Sequence, residues 1–511
     1  MQDTFDVAVI GGGIAGASTA YLLKRQIPSL RVIIMEKSEQ FDRKVGESTS
    51  EVSAGFLTRV LNLAQHLGHD QLSKSGLRFW FYRQTGDCFT RCSELGPKVQ
   101  TRLPTFQLDR AKLDQAILEK ALTTGCELLR PAKLIRLELG GEGNNELEIG
   151  VGNETRNIRA RWVVDASGRV ATVARKLNLF QPLKEHPTNA VWARFRQTSD
   201  LDGSDLWEQM PQFAEPCWVM RQWATNHLMG YGWWCWIIPL RGGDFSAGVT
   251  YDTRIYRLPE GPTLGDRLKA HLLIHPLGRR LFANAQFIEN DVRAFSMLPY
   301  YSEQTIGDGW VLVGDAGGFL DPLYSPGLDF VSYTVNNAVA LLGDALSGKN
   351  ISKAKDFYNK RYQEQFHTWF NGVFKDKYYY MGDAELMTVA MLLDVTAYFI
   401  GPVRKMYGHA PDRYTDLPYG GPVGQSVGRF MRLYNRRLAK IARRRMAAGV
   451  YGRGNSDRRL LLPGFSPDAG SLKLATIGLR LWAKAEWHNL FLRAPARGPS
   501  TESVPTASSG S

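Results

Sequence analysis

The feature that most limits what this 511-residue chain can become is the turn Gly11-Gly-Gly13-Ile-Ala-Gly16. It follows an apolar run, Thr4-Phe-Asp-Val-Ala-Val-Ile10, and opens a segment of helical pattern. Strand, glycine turn and helix together begin a βαβ unit on a parallel sheet. In that setting Gly11 permits the tight turn, Gly13 lets the backbone approach a pyrophosphate, and Gly16, after Ala15, lets helix and strand pack closely. The free N–H groups at the helix start then face a diphosphate. A second strand, Arg31-Val-Ile-Ile-Met35, runs into Glu36 and Lys37, where the carboxylate can accept hydrogen bonds from ribose hydroxyls. An α/β, Rossmann-type dinucleotide site is therefore predicted. The turn alone does not say which dinucleotide.

The chain is too long for one core, since single cores stop growing at roughly 250–300 residues. The dinucleotide unit is predicted over 1–75, 107–185 and 296–345, with a helix from Asp109 to Leu122 at apolar spacing. Segments 76–106 and 186–295 are rich in aromatic, strand-like runs such as Leu77–Tyr82 and Phe245–Thr250; they predict an inserted β-sheet domain carrying the substrate pocket. Residues 346–494 read as a mostly helical basic region, with long stretches at Ala354–Phe370 and Gly428–Ala448, and 495–511 as a disordered tail. The five cysteines lack paired spacing, which argues against a disulfide framework and a zinc site and for a reducing compartment. No metal site is expected. No run of eighteen apolar residues occurs, and the first strand leads directly into the glycine turn, so a cytoplasmic protein without a signal peptide is expected.

Charge is unevenly placed. Residues 401–511 hold 19 Lys and Arg against 6 Asp and Glu, whereas the first 400 hold 44 of each sign. Arg429, Arg432, Arg436, Arg437, Lys440, Arg443, Arg444 and Arg445 form the densest stretch, with no acid among them. Such a stretch is either a solvated helix face or a docking surface for an acidic carrier protein or an anionic membrane surface, with peripheral membrane contact in the latter case. Nucleic acid is not expected, because no recognition motif accompanies the charge.

Three later segments return to the cofactor. Trp162-Val-Val-Asp165-Ala-Ser-Gly168 and Trp310-Val-Leu-Val-Gly314-Asp315-Ala-Gly-Gly-Phe319 are strands ending in small-residue turns. The second resembles the Gly-Asp segment of flavoproteins of the aromatic hydroxylase class, in which Asp315 would bind the ribityl chain. Gln107-Leu-Asp-Arg110 is similar to that class's arginine beside the cofactor. The resemblance implies FAD rather than NAD.

Within that class, Trp234-Cys-Trp236-Ile-Ile238-Pro239 matches the WxWxIP signature of flavin-dependent halogenases. Gly46-Glu47-Ser48 resembles that family's flavin-facing loop, and Lys74 stands five residues before Phe79 as the family's essential lysine does. The resemblance covers roughly 4–345. It implies that reduced FAD, supplied by a separate flavin reductase, uses O2 to convert halide ion to hypohalous acid, which the catalytic Lys74 presents to an electron-rich ring. Trp234 and Trp236 would line the route near the flavin. Ser325 and Gly327, in the flavin-adjacent loop Asp321-Pro322-Leu-Tyr324-Ser325-Pro326-Gly327-Leu-Asp329, would hold halide with backbone N–H groups.

Two departures shape the expectation. Tyr324 stands where tryptophan halogenases carry a glutamate, which argues against free tryptophan and for a phenol- or pyrrole-like ring, free or tethered to an acyl carrier. Pro326 removes one N–H from the halide loop. That loss keeps open an FAD-dependent monooxygenase or dehydrogenase on the same scaffold, and, more remotely, a non-catalytic flavoprotein recruited through the basic region.

Overall fold

A computed structural model describes residues 3–84, 86–204, 208, 217–408, 415 and 417–492. The tail expected to be disordered, 495–511, lies outside the described residues.

The strand Asp3–Ile10 lies between Val32–Met35 and Glu154–Asp165, parallel to both. Glu127–Leu129 extends the sheet beyond Val32–Met35, and Trp310–Leu312 pairs in parallel with the end of Glu154–Asp165. The hairpin Lys133–Glu138 and Asn145–Val151 adds antiparallel strands to the start of Glu154–Asp165. Register decides where the site forms. Ile10 stands opposite both Met35 and Asp165, and Asp165 opposite Leu312. Four chain segments therefore leave the sheet at one edge, the carboxyl ends of its strands, where ligands bind in open α/β sheets.

The inserted segments meet in a second sheet of nine strands. Its centre is Thr188–Arg196, Phe245–Asp252, Trp233–Pro239, Thr225–Gly230, Leu77–Phe81 and Ser93–Pro97 in that order. Alternation along the strands separates two faces. Trp80, Trp233, Cys235 and Ile237 pack under the helices Leu264–Ile274 and Pro276–Phe282, while Phe79, Phe81, Trp234 and Trp236 join the core shared with the dinucleotide unit. One strand was not expected from the sequence. Arg459–Leu462, from the C-terminal region, runs parallel to Ser93–Pro97 at the sheet edge.

The remaining C-terminal elements are helical. The helix expected at 428–448 begins earlier and spans Gly421–Ala447, with Pro422 in its first turn, where proline is compatible with a helix. Ser352–Trp369 and Ala469–Leu490 are the other long helices. The segment Ala384–Gly408 is long and apolar enough to cross a membrane, yet 78% of its apolar window is buried in the protein. Its first helix, Ala384–Tyr398, is capped by Asp383, which also pairs with the buried Arg445 at 2.9 Å.

Candidate functional site

The glycine turn has the geometry its sequence implies. Gly11 has φ +104°, and a side-chain carbon there would stand 2.5 Å from the Ala166 carbonyl oxygen. One at Gly16 would stand 1.9 Å from the Gly11 carbonyl oxygen, so only glycine fits between helix and strand. Glu36 braces the turn: its carboxylate accepts from the N–H of Gly12 at 2.9 Å and of Ser38 at 2.8 Å. Each oxygen keeps a lone pair for a further donor.

Gly314 has φ +60° and lies against Ala15, which sets the half-buried Asp315 beside the turn. Among the described residues no hydrogen-bond donor reaches the Asp315 carboxylate; burial raises its pKa, against the nearby charges of Lys44, Arg110 and Arg169. A carboxylate without a protein donor at this edge fits a ligand carrying hydroxyl groups, as the ribityl chain of FAD does. Lys44, exposed and not singled out in the sequence, brings its Nζ within 3.6 Å of the position a Gly13 side-chain carbon would take. That cation fits a diphosphate over the turn. Lys37 is exposed at the end of its strand.

Other residues expected at the cofactor are held by protein partners. Arg110 forms a two-point pair with Asp114 at 2.9 and 3.1 Å and donates to the carbonyls of Val45, at 3.2 Å, and Gly46. It thereby holds the Gly46 loop. Glu47 turns to the second sheet, pairing with Arg194 at 2.6 Å, and burial raises its pKa against that pairing. Ser48 bonds Thr225 at 3.1 Å. Asp165, expected at the cofactor, secures its own turn: its oxygens accept from the N–H of Ser167 at 2.9 Å and of Val173 at 2.7 Å.

Lys74 lies at a cleft of about 870 Å³, open mouth included, formed between the second sheet, the loop after Asp321 and the C-terminal helices. Only 3% of Lys74 is exposed, and its Nζ donates to the Thr49 carbonyl at 2.6 Å. Burial lowers its pKa from the ordinary 10.5 to about 8, against the opposing pull of Glu51 and Asp329. Both acids line the cleft and neither role was assigned from sequence. Burial raises Asp329 to about 7, although it accepts hydrogen bonds from Ser50, from the Ser53 N–H at 3.0 Å and from Tyr398 at 3.0 Å. Burial likewise raises Glu51, opposed by Lys74. A cation and two carboxyls, all displaced toward neutral pH inside one cleft, form an arrangement suited to proton exchange with a bound molecule.

The loop after Asp321 forms one wall. Tyr324 and Ser325 both have positive φ, +69° and +59°. The Ser325 N–H donates to the Pro322 carbonyl at 2.9 Å, which corrects the expectation that this N–H serves a halide. Gly327, first residue of the helix Gly327–Leu346, keeps an N–H without an acceptor among the described residues. It borders a small recess lined also by Phe319, Asp321, Pro326, Phe330 and Phe366.

Trp234 and Trp236 are not among the residues lining either space. They are core residues on one strand face, with ring centroids 5.9 Å apart. Trp234 donates to Tyr378 at 3.1 Å, and Tyr378 donates to Asp321 at 2.5 Å, so this tryptophan braces the loop rather than bordering the cleft. Among the described residues no cluster of His, Cys, Asp and Glu is arranged to hold a metal ion. Of the eight clustered cations, Arg437 pairs with Glu486 and Arg445 with Asp383, leaving six on the exposed side of their helix.

Comparison with known proteins agrees with this arrangement. The family described as FAD dependent oxidoreductase matches residues 6–102, and the family described as tryptophan halogenase matches residues 84–373. A flavin-dependent halogenase of Dictyostelium discoideum, chlA, is 26% identical over 77% of this chain and 69% of its own length. A 1H-pyrrole-2-carbonyl-[peptidyl-carrier protein] chlorinase of Pseudomonas fluorescens is 28% identical over 68% of this chain and 78% of its own length. In fold, the chain resembles the halogenase PltM, solved with phloroglucinol and FAD, with TM-score 0.73, 20% identity, and coverage of 94% of this chain and 96% of that one. The chain belongs to the tryptophan halogenase family of FAD-dependent enzymes.

Proposed function

We propose that this enzyme installs chloride or bromide on an electron-rich aromatic ring, phenol- or pyrrole-like, with Lys74 as the residue that presents the halogen. The observation that carries the reading is the buried lysine in the cleft, flanked by Glu51 and Asp329. FAD would lie along the sheet edge, with its diphosphate over Gly11, Gly13 and Gly16, its ribose at Glu36 and its ribityl chain at Asp315. When bound there in reduced form, as a separate flavin reductase would deliver it, FAD would supply the electrons with which O2 converts halide to hypohalous acid.

The protein's part is to hold, orient and exchange protons. The Gly327 N–H, at the positive end of its helix, supports a halide in the recess. Without the N–H that proline lacks at position 326 the hold is weakened, which favours bromide, the less strongly hydrated ion. In the cleft the Lys74 ammonium donates a hydrogen bond to the oxygen of hypohalous acid. As a ring carbon bonds to the halogen, the halogen–oxygen bond breaks and that oxygen takes a proton from Lys74 to leave as water. The ring then loses its proton to Asp329 or Glu51, and Lys74 regains one from the same pair. The sum is ring C–H plus hypohalous acid giving ring C–halogen plus water.

The six exposed cations of Gly421–Ala447 support docking of an acidic carrier protein that delivers a tethered ring to a cytoplasmic enzyme, with an anionic membrane surface as the other occupant. Turnover of the purified enzyme with reduced FAD, O2 and a phenol, with and without bromide, tests the main reading: product formation must depend on halide. Hydroxylated product formed at the same rate without halide would instead favour the monooxygenase reading, which the N–H missing at Pro326 motivates.

A further inference from the structure

A second polar group faces the same cleft and takes no part in the chemistry of Lys74. Tyr324 and Asp394 both line it, among side chains that are otherwise largely apolar, such as Leu77, Met391 and Val395. Tyr324 donates its hydroxyl hydrogen to Asp394 Oδ2 at 3.3 Å. Asp394 is further fixed by the buried Lys377 ammonium and by the Tyr434 hydroxyl. Lys377 also donates to the Tyr324 oxygen at 3.4 Å. The two polar groups are electrostatically distinct: Glu51 and Asp329 act on Lys74, whereas Asp394 and Asp321 act on Lys377.

We propose that Tyr324, held by Asp394 and Lys377, is the receptor for a hydroxyl group on the substrate ring, so that the cleft selects phenols. The proposal rests on the halogenase reading and names the substrate class of that site. A phenol oxygen has one hydrogen to give and two lone pairs to receive. In Tyr324 the hydrogen is committed to Asp394 and one lone pair to Lys377, which leaves one lone pair for a donor on the ligand. Burial and the adjacent Asp394 carboxylate keep the Tyr324 phenol protonated by raising its pKa well above the ordinary value.

The local backbone bears this out. Tyr324 and Ser325 hold consecutive left-handed conformations, with Ser325 directly before a proline, a backbone that is costly for residues other than glycine. A strained loop persists only where its surroundings fix it, and here Asp394 takes the tyrosine hydroxyl while Phe79 packs edge-on against its ring at 6.2 Å. Apolar side chains could tie these helices together with less desolvation than the Lys377–Asp394 pair requires. Only a polar group can receive a hydroxyl.

A ring hydroxyl donating to Tyr324 gains electron density, which makes the ortho and para carbons more nucleophilic toward the halogen held at Lys74. A pyrrole N–H retains its proton through the reaction and gains less.

The test uses the FAD-loaded enzyme and its Tyr324→Phe, Asp394→Asn and Asp394→Glu variants, with phenol, anisole and pyrrole as probes. Dissociation constants come from quenching of tryptophan fluorescence, and kcat and KM from halogenated product. The wild-type enzyme is expected to bind phenol about tenfold more tightly than anisole, one hydrogen bond's worth. In Tyr324→Phe and Asp394→Asn that ratio should fall to within about twofold, with the loss in KM for phenol more than in kcat, and Asp394→Glu should restore part of it. A wild-type ratio near one, a ratio unmoved by Tyr324→Phe, or pyrrole preferred over phenol would overturn the proposal. Because the dissociation constants need no turnover, absence of halogenation would count against the halogenase reading and leave the receptor separately measurable.

Discussion

Lys74→Met should give a protein that is inactive yet more stable than the wild type at neutral pH. Lowering a lysine from 10.5 to about 8 corresponds to roughly 3 kcal/mol against folding while both states carry the ammonium, at about 1.4 kcal/mol per pH unit. Methionine has similar length and no charge to desolvate. Two losses offset part of the gain. The Thr49 carbonyl forfeits its donor, about 1 kcal/mol, and Glu51 and Asp329 lose their cation, which Asp329 tolerates by taking a proton near pH 7. A net stabilisation of about 1–2 kcal/mol at pH 7 is left.

The pH dependence fixes the cause. Below about pH 8 the wild-type penalty is complete; between about 8 and 10.5 only the unfolded chain holds the extra proton, so wild-type stability climbs with pH across that window. The advantage of Lys74→Met should therefore shrink from pH 7 to pH 10. Urea unfolding followed by tryptophan fluorescence at both pH values measures it. A variant less stable than wild type at pH 7, or an advantage independent of pH, would refute the reasoning.

Other expectations concern the same machinery. Asp329→Asn removes one of the two carboxylates that sustain the Lys74 ammonium, so the alkaline limb of kcat/KM should move down by about one pH unit from near 8, lowering the rate at pH 8 roughly five-fold; a limb that stays in place rejects the coupling. Gly16→Ala places a carbon 1.9 Å from the Gly11 carbonyl oxygen and should purify without the visible absorbance of bound flavin, whereas normal flavin content would show that the turn does not carry the diphosphate. Glu47→Gln leaves the buried Arg194 without its ion partner and should destabilise by about 3 kcal/mol, read as an earlier unfolding midpoint.

What the sequence made legible was local. Gly11, Gly16 and Glu36 act within one strand–turn–helix unit, and their geometry follows from spacing. Lys74 was marked by its register with Phe79. Asp165 shows the limit of such reasoning, because a carboxylate at a strand end looks the same whether it meets a ligand or caps its own turn. Asp394, Tyr398 and Trp369 line the cleft from hundreds of residues beyond Lys74, and no periodicity in their helices distinguishes a cleft-facing side from a core-facing one. The edge strand Arg459–Leu462 is a four-residue run, too short for its period to separate strand from helix. The bracing role of Trp234 depends on Tyr378, a contact visible only in three dimensions.

The most direct test is mass spectrometry of the product formed from a phenol by the enzyme with reduced FAD, O2 and bromide. A bromine isotope doublet with the wild-type enzyme, lost in Lys74→Ala, is the predicted result. A hydroxylated product without halogen, or the same doublet from Lys74→Ala, would contradict the assignment of Lys74 and of the reaction.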